Sequence, residues 1–469
     1  MPGQIRCRSI RRRVLGKVMA MSGEAGDRST TERLAGLLRR PISRVDRRRA
    51  ALHVLDWIGC AQIGRATQTG QVLASEAVTP GPVQLFGGAS AEAASAAFVL
   101  GSFGSIFEMD DVHRTALLHA GPIVIPAVLA ACGKTTTADE FLDAVIRGYE
   151  TMIRLGRSVG SGHYALFHNT ATCGGFGAAA GAASVLGLDD AALVSALGNA
   201  GSLSGGLWQC RNEPVMTKAL HCAEAARRGF VAARLAKAGF AGPRFILEGP
   251  QGFFAALCPG ASAADVLAQP EDGWLIWQVS FKPWPACRHA HAAIDAALAL
   301  RSEFDGRAIQ AIEIETYADA KLFCDRPEPA TPHQAKFSLQ HSVAVALLDG
   351  TLPLAAFDPP AIRRPDVASL RSLTTVSASE RFTSAYPRHF GSAVSVTLAG
   401  GRQLARSIPD ALGDSENPLP QGALLDKCRN LVTAAGTSSA SAEAIIQAAL
   451  DLAEGGQLAA LRTAMAQMT

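Results

Sequence analysis

Charge is scarce in this chain, and so are aromatic rings. Asp, Glu, Lys and Arg make up 18% of the 469 residues, Phe, Trp and Tyr 6%, and the net charge is +3. A protein that grips a phosphate backbone carries a basic stripe interleaved with aromatics. None runs through the body of this sequence, which excludes nucleic acid as a partner. Long apolar runs are missing too. Gly121 to Cys132 and Ala171 to Leu188 are broken by Pro or packed with Gly and Ala, and neither exceeds the ~20 apolar residues that a bilayer requires, so no membrane span is expected. The ten cysteines, Cys7 to Cys428, form no C-x-x-C pair. That excludes the common zinc and iron–sulfur spacings and fits a reducing, cytoplasmic setting in which cysteines serve as small buried apolar residues. Two phosphate-loop lookalikes fail as well. Gly133-Lys134-Thr135 has Val128 where a Walker A loop needs Gly, and Gly175-Phe-Gly177 has Ala180 in place of the third glycine.

What is present is apolar material in helical order. Hydrophobic residues are 48% of the chain, ample for a large core. Residues 1–29 are read as a disordered basic arm, with Arg6, Arg8, Arg11, Arg12, Arg13 and Lys17 and no apolar periodicity, dispensable up to about Gly26. Beyond it, Ser29 or Thr30 caps a first helix over Thr31 to Leu38, and a second opens near Pro41 and runs to about Gly64. Thr137-Ala-Asp-Glu140 reads as a capping box for a helix over Phe141 to Leu155. Ala171 to Leu186, Asp189 to Gly198 and Leu220 to Ala238 follow as helices. The character changes after about Leu275. Ile309 to Thr316 is β-prone, Val394, Val396 and Leu398 alternate with polar residues, and Ala399-Gly400-Gly401 turns into Gln403 to Ile408, with a helix over Phe337 to Leu348 between them. The tail, Leu424 to Met468, returns to helix. The expected fold is therefore mainly α: a large helical domain from both chain ends (30–274 plus 410–469) with an inserted, smaller α+β lid (275–409).

Four segments carry chemistry. Phe107 to Gly121 packs Glu108, Asp110, Asp111, His113 and His119 into a short loop before an apolar helix, a density of titratable groups expected at an active-site edge. No metal is assigned there. His168 directly precedes an Asn/Thr helix start, where the dipole favours the neutral imidazole and suits a general base. Lys218 and His221 begin another helix, and Lys218, in apolar company without a nearby acid in sequence, is expected to have a lowered pKa and to exchange protons. Lys282, Arg288, His289 and His291 fall in Lys-Pro-Trp-Pro-Ala-Cys-Arg-His-Ala-His, with fixed donors for carboxylates.

These segments, in this order, resemble the MmgE/PrpD family. D-F-D-D-T-H followed by H-P-G is similar to Glu108-Met-Asp-Asp-Val-His113 and His119-Ala-Gly121. F-H-x-T-A-T-x-G-x-F-G-A-A-A is similar to Phe167 to Ala180, K-x-L-H to Lys218-Ala-Leu-His221, L-E-G-x-x-G-F to Leu247 to Phe253, and K-P-[YW]-P-x-C-R-x-x-H to Lys282 to His291. The resemblance implies a cofactor-free homodimeric enzyme with its pocket between domains and His119, His168, Lys218 and His291 at functional positions. Glu108, Val112 and Phe323 depart from the pattern, each losing or moving a polar contact to substrate. The implied chemistry moves a proton beside a carboxylate of a small di- or tricarboxylate. His168, Lys218 and His119 are the expected catalytic groups; Glu108, Asp111, His113, His221, Lys282, Arg288 and His291 would bind substrate. A lyase, either dehydratase or decarboxylase, is the reading adopted. The alternatives are an epimerase or racemase acting on an iminodisuccinate-like acid, or a non-catalytic dimeric binding protein.

Overall fold

A computed structural model of the chain describes residues 28–213, 215–268, 273–304 and 307–468. The basic arm, apart from its last two residues, lies outside them. Ser29, placed at the arm's end, is buried and caps the helix Thr30–Leu37 in a reciprocal box with Glu32. Ser43 with Asp46 and Thr137 with Glu140 start the helices Arg44–Arg65 and Ala138–Ser158 in the same way, each box satisfying amides that a helix start leaves free.

The fold is mainly α, with a smaller α+β region. Its centre is the Gly- and Ala-rich helix Asn169–Val185, buried from Asn169 to Ala183. Small side chains let the helices Gly121–Ala131, Ala138–Ser158 and Thr217–Lys237 press against it. At Gly229 a methyl group would sit 2.4 Å from the Ala178 Cβ, a separation only a glycine permits. The helices Gln421–Ala434 and Ser439–Asp451 fold back on Arg44–Arg65, Leu458–Ala466 packs on Ser439–Asp451, and Lys427 reaches Asp56 at 2.6 Å. One apolar core thus draws on residues from Leu34 to Val279 and again from Cys428 to Met468.

A second core gathers residues from Ala286 to Leu404. Its sheet has β3 (Ile309–Thr316), β4 (Thr374–Ala378), β5 (Ser392–Leu398) and β6 (Gln403–Ile408) in the order β4-β3-β5-β6, with β3 and β4 parallel and the other pairs antiparallel. Val394, Val396 and Leu398 face inward, as their alternation requires, against the helix His291–Arg301, which packs in turn on Leu339–Asp349. The passage from the first core to the second is tied down by two short strands, β1 (Val112–His113) and β2 (Val279–Ser280), paired antiparallel. That pairing fixes the acidic loop beside the segment entering the α+β region.

Candidate active site

Both cores contribute walls to one cavity of about 120 Å³. From the helical side come Glu108, His119, His168, Trp208, Arg211 and Lys218; from the α+β side come Lys282, Arg288, His289, Phe323 and Arg326. Its size lies below the roughly 300–1,000 Å³ of typical drug-sized pockets.

The acidic loop supplies the most constrained residue. Glu108 is in the left-handed region at φ 61°, uncommon for a side-chain-bearing residue. This turn aims its carboxylate at Lys218, whose Nζ lies 2.6 Å from Oε1. Burial alone would neutralise both groups. The Lys218 and Lys282 charges instead hold Glu108 below the usual carboxylate range, and Glu108 with Asp110 holds Lys218 above the usual lysine range. The expected low-pKa lysine is thereby corrected: the missing acid comes from 110 residues away in sequence, where local context gives no warning.

Asp110 lies between His119 and Lys282, with Oδ2 3.0 Å from His119 Nδ1 and Oδ1 3.3 Å from Lys282 Nζ. His119 Nδ1 is also 2.8 Å from the Asp111 carbonyl. Donation of Nδ1–H to that carbonyl leaves Nε2 as the nitrogen available to the cavity. Arg288 ion-pairs with Asp414, and its buried Nε and Nη1 have no hydrogen-bond partner among the described residues. Arg211 and Arg326 make no ion pair among the described residues.

His168 stands at the N-terminus of Asn169–Val185 and stacks on Trp208 at 4.2 Å between ring centroids. Its backbone N–H donates to the Gly206 carbonyl at 2.9 Å. Burial first, then the Lys218 charge, holds its imidazole well below the ordinary histidine range. It is therefore neutral near pH 7, the state a base requires.

Four expected site residues lie outside this cavity's lining. The Asp111 carboxylate accepts from His53 Nδ1 at 2.8 Å, Tyr149 OH at 2.7 Å and the Gly121 N–H at 3.0 Å, so it anchors the loop. His113 is buried with its Nδ1 accepting the Ala116 N–H at 3.2 Å, and burial pushes its pKa down to about 3. His291 is fully buried and its Nε2 donates to the Ala286 carbonyl at 3.1 Å. His221 lines a separate groove, its Nδ1 3.2 Å from His168 Nδ1. Conversely, Trp208, Arg211 and Arg326 are cavity residues that sequence reasoning did not select. Arg211 lies over the Trp208 ring at 5.6 Å and over Phe323 at 4.8 Å, spanning the two cores. Partners so distant in the chain leave no local signature.

The profile of the MmgE/PrpD N-terminal domain matches residues 28–265, and that of the MmgE/PrpD C-terminal domain matches residues 284–452. The chain belongs to the MmgE/PrpD family. Among its relatives are cis-aconitate decarboxylase of Aspergillus terreus, 26% identical over 82% of this chain and 84% of that protein, and cis-aconitate decarboxylase of Homo sapiens, 28% identical over 71% of each. A 2-methylcitrate dehydratase-like protein, oryR, of Aspergillus oryzae is 29% identical over 42% of each chain. This MmgE/PrpD chain is thus an enzyme of that type, and the cavity between its two cores is the candidate site. Among the described residues no helix is long and apolar enough to cross a membrane.

Proposed function

We propose that the protein is a cofactor-independent lyase that dehydrates or decarboxylates a small di- or tricarboxylate by moving a proton on the carbon beside a carboxylate. One observation carries this reading: a neutral imidazole, His168, faces the same small cavity as Lys218, Lys282, Arg288, Arg211 and Arg326. Two of these cations lack acid partners and a third has free donors, so an anion is needed to complete the site. Removing a proton beside a carboxylate builds a second charge on that carboxylate. Lys218 and Arg288 would stabilise it as preorganised partners, His168 would take the proton, and His119 would protonate the leaving group. Glu108 and Lys282 would set the orientation of the remaining carboxylates. Asp111, His113 and His291 support the walls from behind. Epimerisation of an iminodisuccinate-like acid is the second reading, favoured by two histidines, His168 and His119, on one cavity.

The organisation proposed is a helical domain of 30–274 plus 410–469 and a lid of 275–409, consistent with the two separate cores. We also assign the protein to the cytoplasm, in keeping with nine free cysteines among the described residues, and to a homodimer. The exposed side chains of Leu166, Leu203, Leu207, Met216 and Leu220 support the dimer, since apolar surface of this kind marks contact faces.

The test is incubation of the purified protein with citrate-, aconitate- and iminodisuccinate-like acids in deuterated water after exhaustive chelation. Deuterium is expected at the carbon beside a carboxylate, with loss of water or carbon dioxide seen in the product mass. Restoration of a lost activity by one added metal would overturn cofactor independence. Deuterated acid with inverted configuration and no mass loss would select the epimerase.

A further inference from the structure

The candidate base is buried, yet it is not isolated. His168 lines the cavity, but its Nδ1 points away, 3.2 Å from Nδ1 of His221. His221 in turn lines a neighbouring groove of about 510 Å³, with Glu213, Glu224 and Arg228 on its walls. Neither Nε2 has a hydrogen-bond partner among the described residues. Two imidazoles in series therefore connect the small cavity to a separate, larger space. We propose that His221 is a proton-relay residue, carrying protons between His168 and water in the groove; this rests on the reading of His168 as the base.

The required tautomers follow from the contact. A bond between the two Nδ1 atoms holds a single proton, and the working arrangement places it on His168, with His221 carrying its own on Nε2. When the substrate C–H bond breaks, its electron pair stays on carbon and spreads into the carboxylate, while the proton goes to His168 Nε2. The proton on His168 Nδ1 then passes to His221 Nδ1, and the proton on His221 Nε2 leaves to groove water. One proton has moved from carbon to solvent, and the reverse sequence delivers one. Burial lowers the pKa of both rings, so neither traps the proton as a stable cation. The relay asks only for water in the groove, whether bulk or held between two copies.

The test is to measure, in deuterated water, the solvent deuterium entering recovered acid relative to product formed. In the unaltered enzyme, deuterium should enter readily. In His221→Phe the captured proton is stranded on His168 and returns to carbon, so the ratio should fall tenfold or more, even where some turnover survives. His221→Ala leaves space open to the groove, and added imidazole should restore the ratio. If exchange and turnover fall together at an unchanged ratio, His221 merely positions His168 and the relay is wrong. If the unaltered enzyme forms product while no deuterium enters recovered acid, the proton captured by His168 does not exchange with the groove and the relay fails; if His168→Gln turns over normally, the base reading itself fails and the relay with it. A variant that does not fold is replaced by His221→Gln, for which the same fall in ratio is expected, and an unchanged ratio there overturns the relay.

Discussion

At the scale of single residues, the site is governed by where charges are allowed to reside. Lys218 is kept cationic by Glu108, and that cation helps keep His168 neutral. The acid limb of the kcat/KM profile should accordingly lie below 6.5: as pH falls through the ordinary histidine range His168 stays unprotonated, and activity is lost only at lower pH. Lys218→Met removes one of the two leading causes, so its limb should move upward. The same variant should lower turnover by roughly a hundredfold or more with the fold intact, the cost of losing one preorganised charge partner. Lys218→Arg should not rescue it, because a planar guanidinium cannot repeat the single short contact to Glu108. Near-normal turnover of the Met variant would remove Lys218 from the mechanism.

At the scale of elements, the capped helices were legible because their signals are local. Ser29 and the Thr137 box lie within four residues of the helices they start, and the β5–β6 hairpin announces itself by alternation and a Gly-Gly turn. Strand β4, Thr-Thr-Val-Ser-Ala, escaped notice: only Thr374 is buried, so no period-2 apolar pattern marks it. In the site, six of the ten residues expected from sequence line the cavity, whereas the role of Asp111 could not be read without His53 and Tyr149, which reach it from other helices. Gly206 was equally silent. It holds φ 133°, and an added methyl group would lie 2.3 Å from the Ala171 Cβ, one turn into the helix that His168 begins. Gly206→Ala should cost about 1–3 kcal/mol and lower kcat as His168 loses its backbone contact. Thermal unfolding and steady-state kinetics check both.

At the scale of the whole molecule, one guanidinium ties the acidic loop to the segment that returns from the sheet. Arg114 reaches Asp410 at 2.6 Å and Asp414 at 3.3 Å, and also pairs with Glu416, while Asp414 accepts from Ser280 at 2.6 Å and pairs with Arg288 of the cavity wall. His389, Asp410 and Glu416 are close enough together to resemble a cation site, but Arg114 already supplies the positive charge there. Arg114→Leu would leave carboxylates in a partly buried cluster without their shared partner. A loss of about 3–5 kcal/mol is expected, read as a lower urea midpoint at pH 7, together with weaker substrate binding as Arg288 is drawn further toward Asp414.

Trp208 stacks on His168 and lies under the guanidinium of Arg211, which also covers Phe323. Indole emission is sensitive to a neighbouring imidazolium and to the polarity around the ring. The base of the proposed reaction therefore sits against a built-in optical reporter. The difference spectrum between the unaltered protein and Trp208→Phe isolates this ring from the other four tryptophans. Its change on mixing with a carboxylic acid would time the arrival of the ligand beside His168, in a protein that needs no added dye.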